Sequence, residues 1–141
     1  MRGVLFLCRA NSCRSQMAEG LAHELLPDEV AVFSAGLRPS HVNPMAIDAS
    51  SELGIDISGQ RSKSTDEIPT DEVDCVITLC SEGEQDCPVF PGDVTRLYWP
   101  LPDPAAAQGD PEEIMTAFRA VRDELAERIR ALATRPARSA S

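Results

Sequence analysis

Near its start the chain passes from a strand pattern to a helix pattern within six residues. Val4–Leu7 is an uninterrupted apolar run, typical of a buried strand, and from Arg14 onward apolar residues recur at helical spacing. The residues with that spacing are Met17, Ala18, Leu21 and Leu25. Residues 8–13 must therefore turn directly from a strand into a helix.

This turn contains the residue types of a thiol-based anion site. Cys8 follows the strand and Arg14 opens the helix, with Asn11, Ser12 and Cys13 between them. A helix N-terminus points backbone N–H groups and the positive end of the helix dipole at one small volume, which attracts an anion. A guanidinium group adds a fork of donors that suits an oxyanion. We therefore predict that the residues from Asn11 to Arg14 bind an oxyanion.

The same surroundings favour a reactive sulfur at position 8. Helix N-termini and nearby guanidinium groups stabilise the thiolate, which is the nucleophilic form of cysteine. Ser15 is close enough in sequence to donate a hydrogen bond to the Cys8 sulfur and completes the predicted binding set. The alternative is that Cys8 is an ordinary buried thiol and Arg14 an exposed residue of the first helical turn.

Composition narrows the class of protein. With 141 residues, 43% of them hydrophobic, the chain is long enough for one soluble domain with a proper core. The first strand is too short for a signal peptide and no apolar run approaches a membrane span, so we expect a cytoplasmic protein. Five cysteines in that compartment favour reactive or metal-bound thiols over a disulfide framework. A net charge of −10 argues against nucleic-acid binding.

Strand and helix patterns continue along the chain without an internal linker. Strands are predicted at 30–33, 74–79 and 94–99, and helices are predicted from Asn43 to Leu53 and from Asp110 to Leu132. Such an order predicts an α/β single-domain three-layer sandwich over residues 1–133, with a mostly parallel four-stranded sheet and helices on both faces. Residues 134–141 lack periodicity and are expected to be a disordered tail.

Ligands of such sheets bind beyond the carboxyl ends of the strands. Cys8 and Cys80 each follow a strand, and Asp103 follows the last strand after a proline-rich turn, so the three residues could line one crevice. Asp103 is then a candidate general acid, although an aspartate between prolines is also a common turn residue.

Cys80 and Cys87 enclose six residues without a large apolar side chain. A segment of this kind is expected to be mobile, as a thiol relay requires. The acidic positions 82, 84 and 86 could equally belong to a plain solvated loop. Zinc held by Cys8, Cys13, Cys80 and Cys87 is a further alternative, but their offsets differ from the usual short ligand pairs and neither histidine is near.

Four stretches together resemble a known family. The run from Cys8 to Glu19 looks like the phosphate-binding loop of thioredoxin-coupled arsenate reductases, which share the fold of low-molecular-weight protein tyrosine phosphatases. Val76–Cys80, Cys87-Pro88 and Asp103–Ala105 match the later signatures in order. The resemblance spans residues 2–132, and the pair Cys80 and Cys87 belongs to the reductases.

The resemblance implies a mechanism. Cys8 attacks the arsenic of arsenate while Asp103 protonates the departing hydroxyl, and Cys80 then attacks Cys8, so that arsenite leaves. A Cys80–Cys87 disulfide follows, which thioredoxin reduces. No cofactor is implied, and the protein is expected to be a monomer. Cys13 is implied to be structural, and weak phosphatase activity is expected to persist.

One departure concerns potassium. Some members of the family hold this ion through residues that correspond to Asn11, Glu19 and Ser34, together with a later acidic position. Here the later positions are Arg61 and Lys63. A cation beside an ammonium group is electrostatically unfavourable, so we predict no metal and a Lys63 side chain in place of the ion. Lys63 could also be a plain surface residue.

Three hypotheses follow for the function: an arsenate reductase coupled to thioredoxin, a tyrosine phosphatase with regulatory cysteines, and a non-catalytic module that senses redox state or arsenite.

Overall fold

Strands and helices follow each other in the order that the sequence predicts. The computed structural model describes residues 1–84 and 87–134. Its strands are β1 (Gly3–Cys8), β2 (Ala31–Gly36), β3 (Cys75–Thr78) and β4 (Thr95–Tyr98), and its α-helices are α1 (Arg14–Leu25), α2 (Pro44–Ser51) and α3 (Pro111–Ala133). Short 3-10 helices span Thr65–Glu67, Thr70–Glu72 and Pro104–Ala106.

The described strands form one sheet in the order β2-β1-β3-β4, and each neighbouring pair is parallel. The predicted α/β fold with a four-stranded sheet is thus confirmed. β2 lies on one side of β1, and β3 and β4 lie on the other. The direction in which successive strands are added to the sheet therefore reverses at β1. A crevice opens at the carboxyl ends of the strands at such a reversal. Cys8, the last residue of β1, lies at this point.

One face of the sheet packs against all three α-helices. Val4 and Phe6 of β1 and Ile77 of β3 point to this face. They pack in one buried cluster with Met17 of α1 and Phe118 of α3. The long helix α3 therefore closes the main core and supports α1, which starts at the turn after Cys8.

The opposite face is covered differently from the prediction. Leu5 and Val76 pack there with Ile68, Val73 and Phe90, which lie in or beside the 3-10 helices of residues 65–72 and in the chain before β4. The predicted helices of this face are therefore short 3-10 turns. Pro69 lies between the first two turns, and a proline has no N–H with which to continue a helix.

The helix starts agree with their sequence signals. The Asn43 side chain accepts a hydrogen bond from the Met45 N–H, at 2.8 Å. Asp110, where the sequence predicts the start of a helix, forms a capping box with Glu113 at the start of α3. Thr134 closes that helix with a bond from its N–H to the Arg130 carbonyl, whereas residues 135–141 of the predicted tail lie outside the described residues. No helix of the described segments is long and apolar enough to cross a membrane.

Candidate active site

Residues 8–13 form a tight loop that lies close against β2. Cys8 is 2% exposed, and Asn11 has a left-handed backbone with φ of 49°. A Cβ added to Gly36 would lie 2.7 Å from the Arg9 carbonyl oxygen and 2.7 Å from the Asn11 nitrogen. Glycine at position 36 therefore permits an approach of loop and strand that any side chain would prevent.

The Asn11 side chain holds the loop in shape. Its Nδ2 donates to Ser15 Oγ at 2.7 Å and to Ser34 Oγ at 2.9 Å. Its Oδ1 accepts from Gln16 Nε2 at 2.9 Å and from the Lys63 backbone N–H at 2.7 Å. Asn11 is fully buried, so these four bonds replace all contact with water. A buried network with every member satisfied specifies one conformation.

Ser15 connects this network to the sulfur of Cys8. Its Oγ lies 2.8 Å from Cys8 Sγ. Because the same oxygen already accepts a hydrogen bond from Asn11 Nδ2, its own proton is available to the sulfur. The arrangement matches the predicted donation from Ser15, and it suits a thiolate, which only accepts hydrogen bonds.

Arg14 lies in the floor of the crevice and is 2% exposed. Its Nη1 donates to the Leu101 carbonyl at 3.1 Å, while Nη1 and Nη2 each donate to one carboxylate oxygen of Glu84 at 2.7 Å. Burial makes the largest single contribution and lowers the pKa of Arg14, but the Glu84 hydrogen bonds and the charge interactions with Cys8, Glu84 and Asp103 together outweigh it, so the pKa is raised. In turn the Arg14 hydrogen bonds lower the pKa of Glu84 to about 2. Both groups are therefore charged at neutral pH.

A cavity of about 220 Å³ opens above the loop. Cys8, Ser12, Cys13, Arg14 and Asp103 line it together with Arg9, Ala10, Arg38 and Ala105. Most of the predicted site residues thus meet in one place. Asn11 and Ser15 do not line the cavity, because both are fully buried behind the loop that they support.

Asp103 combines the two interpretations that its sequence allowed. Its carboxylate caps the 3-10 helix Pro104–Ala106 by accepting a hydrogen bond from the Ala105 N–H at 3.0 Å. The residue is only half-buried, and the capped turn holds it at the edge of the cavity beside Cys8. A turn-forming aspartate therefore also lies where a proton donor would be needed.

Burial decides the protonation state of Cys13. Burial raises the pKa of Cys13 to about 12, despite a lowering contribution from the Ser12 hydroxyl. Cys13 therefore stays a neutral thiol at physiological pH, which makes it a poor nucleophile.

Cys80 and Cys87 form a disulfide, with their Cα atoms 6.2 Å apart. The Leu79 N–H donates to the Leu7 carbonyl at 2.8 Å, so Cys8 and Cys80 leave neighbouring parallel strands at the same edge of the sheet. Neighbouring strands are about 5 Å apart. Because Cys80 and Cys87 are bonded to each other while Cys8 and Cys13 remain free thiols, the four sulfurs do not form the zinc site that the sequence left as an alternative. The segment between Cys80 and Cys87 is predicted to be mobile, and its residues 85 and 86 lie outside the described part of the chain.

An ammonium group lies beside Glu19, one of the residues that match a potassium site. Lys63 Nζ lies 3.5 Å from Glu19 Oε1 and donates to the Arg61 carbonyl at 2.7 Å. Ser34 Oγ donates to the same Glu19 oxygen. The Lys63 side chain is only 16% exposed, which excludes the alternative that Lys63 is a plain surface residue. A cation bound to Glu19 here would be repelled by the ammonium charge, so the residues present fit potassium poorly.

Two residues of the site were not predicted from the sequence. The sequence placed Glu84 only in a polar segment that could be mobile or simply solvated, yet its side chain is only 11% exposed and binds Arg14. Gln16 is fully buried and donates to the Asn11 backbone carbonyl as well as to its side chain. Nothing in the local sequence distinguishes Glu84 from its exposed neighbour Glu82, since both lie in the same polar stretch.

Comparison with known proteins finds relatives over nearly the whole chain. An arsenate reductase of Halalkalibacterium halodurans is 46% identical over 130 residues, which are 92% of this chain and 94% of the relative. A solved arsenate reductase in a phosphate-binding state is 38% identical, with a TM-score of 0.76 and all of both chains covered. A thioredoxin-dependent arsenate reductase of Corynebacterium glutamicum is 29% identical, with a TM-score of 0.61, over 94% of this chain and 63% of that one.

The sequence pattern of one family extends over almost all of the chain. That pattern, described as low molecular weight phosphotyrosine protein phosphatase, matches residues 3–140. The match includes the loop of Cys8 and Arg14, the Cys80–Cys87 pair and the Asp103 turn, which the fold brings to one edge of the sheet. The chain therefore belongs to the low molecular weight phosphotyrosine protein phosphatase family.

Proposed function

We propose that this protein reduces arsenate to arsenite and that thioredoxin restores its reduced state. The observation that carries the proposal is the Cys80–Cys87 disulfide. Cys80 follows β3, which pairs directly with β1, the strand that ends in Cys8. A hydrolytic phosphatase needs one cysteine and no such pair. Curated relatives with this chain length are named arsenate reductases, and a structural neighbour is named thioredoxin-dependent.

The first step forms a bond between sulfur and arsenic. Arsenate enters the cavity, where Arg14 and the N–H groups of residues 9–14 balance its charge. The Cys8 thiolate attacks arsenic, one hydroxyl of arsenate takes a proton from Asp103, and water leaves. The Ser15 hydroxyl stabilises the thiolate before the attack. Arsenic is still As(V) in the adduct.

The second step transfers the electrons. The Cys80 thiolate attacks Cys8 Sγ, and the pair of electrons in the sulfur–arsenic bond stays with arsenic, which becomes As(III). Arsenite leaves behind a Cys8–Cys80 disulfide. Cys87 then attacks Cys80, which frees Cys8 as a thiolate and forms the disulfide of this structure. In total, arsenate and two thiols yield arsenite, one disulfide and water.

Thioredoxin completes the cycle by reducing that disulfide. Cys80 is 2% exposed, whereas Cys87 is partly exposed, so we assign the thioredoxin attack to Cys87 Sγ. Thiol exchange of this kind needs no organic cofactor and no resident metal. A thiol relay also needs a reducing compartment, which supports the cytoplasm as its location. All residues of the proposed mechanism lie in one chain, so the cycle requires no second subunit.

Arsenite formation with thioredoxin, thioredoxin reductase and NADPH tests the proposal. The wild type should consume NADPH in step with arsenite, and Cys8→Ser and Cys80→Ser should abolish both. Cys87→Ser should stop after one round with a Cys8–Cys80 disulfide, which peptide mass mapping detects. Cys75→Ala is the matched control, because Cys75 is a buried strand residue outside the relay and should leave turnover intact. Arsenite formation by Cys80→Ser at the wild-type rate would contradict the relay.

The family membership makes a phosphatase the second candidate. The described residues that line the cavity of Cys8 include no aromatic side chain to hold phosphotyrosine: Trp99 packs on Phe6, and Tyr98 lines a separate cavity beside Cys87. We therefore expect only slow cleavage of p-nitrophenyl phosphate. Fast cleavage, together with no arsenite formation, would favour the phosphatase.

A further inference from the structure

Arg14 has a partner in this structure that mimics an oxyanion. Glu84 places its two carboxylate oxygens against Nη1 and Nη2, each at 2.7 Å. This is the parallel geometry in which a guanidinium group binds carboxylate or phosphate. The two N–H groups that point toward Glu84 are therefore unavailable to another anion.

Glu84 is held in this position by the turn that follows Cys80. The Ser81 N–H and the Ser81 hydroxyl both donate to Glu84 Oε1, each at 2.9 Å. The Glu84 N–H donates back to the Ser81 carbonyl at 3.1 Å. Gly83, within the turn, has a φ of 76°, which glycine adopts without strain. The position of the carboxylate is thus linked through three residues to a cysteine of the disulfide.

From this geometry we infer that Glu84 is an internal counter-ion that excludes oxyanions from Arg14 while the Cys80–Cys87 disulfide is closed. The inference rests on the proposed function, in which Arg14 binds arsenate in the dithiol state. Reduction releases the turn from the disulfide, and Glu84 then yields the guanidinium group to the incoming oxyanion. Substrate and Glu84 alternate on Arg14 in the course of one cycle.

Charge balance explains why such an exchange is needed. A buried guanidinium group without a counter-charge is strongly destabilising. Arsenate carries negative charge, but arsenite is uncharged at neutral pH, so Arg14 loses its counter-charge when the product forms. Glu84 restores it in the oxidised state. It also prevents a second arsenate from entering before two new thiols are available to reduce it.

The exchange links oxyanion affinity to redox state in both directions. If the disulfide weakens binding by a given factor, the oxyanion favours the dithiol form by the same factor. A tenfold difference in affinity corresponds to about 30 mV in the potential of a two-electron couple. Saturating phosphate should therefore raise the reduction potential of Cys80–Cys87 in the wild type and have little effect in Glu84→Gln.

Phosphate titration by calorimetry, on protein of defined redox state, tests the inference. Phosphate is the probe because thiols do not reduce it, and mass mapping verifies that the oxidised sample contains only the Cys80–Cys87 disulfide. Glu84→Gln removes the charge and keeps the shape of the side chain. Glu82→Gln is the matched control: it removes the same charge from the same segment at an exposed position.

In the dithiol state all three proteins should bind phosphate with similar affinity. The disulfide should weaken binding at least tenfold in the wild type and in Glu82→Gln, and less than threefold in Glu84→Gln. Equal affinities of the oxidised and reduced wild type would overturn the inference, as would an oxidised Glu84→Gln as weak as the wild type. Glu84→Ala, which lacks the amide, should behave like Glu84→Gln and checks for a residual hydrogen bond. A reduced wild type that binds no phosphate would instead refute the proposed oxyanion site itself.

Discussion

Replacement of Asn11 by alanine should remove a large part of the stability of the protein. The side chain makes four hydrogen bonds, to Ser15, Ser34, Gln16 and the Lys63 backbone, and is fully buried. A buried hydrogen bond contributes about 1 kcal/mol net, and coupled bonds add incompletely, so their loss should cost about 2–4 kcal/mol. A domain of this size has about 5–15 kcal/mol in total, so Asn11→Ala should still fold.

The backbone adds a separate contribution. Asn11 has a φ of 49°, and an alanine in the left-handed region costs about 1–2 kcal/mol more than a glycine there. Asn11→Gly loses the same side-chain bonds without this strain, and the difference between the two variants isolates the backbone contribution.

Urea unfolding of the reduced proteins measures both contributions. We expect Asn11→Ala to lose about 3–5 kcal/mol of unfolding free energy, with Asn11→Gly losing about 1–2 kcal/mol less. Phosphate affinity should fall in both variants because the loop loses its fixed shape. A loss below about 1 kcal/mol in Asn11→Ala would show that the network does not hold the loop.

Four further outcomes are expected. Asp103→Asn should lower arsenate turnover by about a hundredfold, the usual contribution of a general acid, with phosphate affinity unchanged; steady-state kinetics and calorimetry check this, and wild-type turnover would exclude the role. Wild-type turnover should be the same in potassium and sodium, whereas Lys63→Gln should gain stimulation by potassium; a severalfold rise of wild-type activity with potassium alone would contradict the substitution of the ion by Lys63. Phe118→Ala, a fully buried contact of α3, should cost about 3–5 kcal/mol in urea unfolding, and a cost near zero would show that α3 does not close the core. The pKa of Glu84 is lowered from 4.5 to about 2, so its ion pair with Arg14 stabilises the oxidised protein fully above pH 4.5, and this stabilisation is lost as the pH falls through about 2. The difference in unfolding free energy between wild type and Glu84→Gln should shrink over that range. A constant difference would argue against the ion pair.

The secondary structure and the turn at residues 8–13 follow from short stretches of the sequence. The apolar run before Cys8 and the helical spacing after Arg14 predict a strand, a turn and a helix, and β1 and α1 lie where expected. Asn43 and Asp110 mark helix starts because capping depends on residues within one turn of each other. Position in the chain marks Asp103 as a candidate general acid, and the polar segment between Cys80 and Cys87 is compatible with a thiol relay. Resemblance to a family added the order of the thiol attacks that we propose.

Only the tertiary structure decided which distant groups meet. Asn11 and the Lys63 backbone are 52 residues apart, and Arg14 and Glu84 are 70 residues apart, so no local pattern records either contact. In sequence, Glu82 and Glu84 are two acids of one polar turn, yet one is exposed and the other buried on a guanidinium group. The strand order that brings β3 beside β1 sets this difference, because it carries the turn after Cys80 to the N-terminus of α1. Local sequence determines conformation within a few residues, whereas the pairing of buried charges depends on how the sheet is assembled.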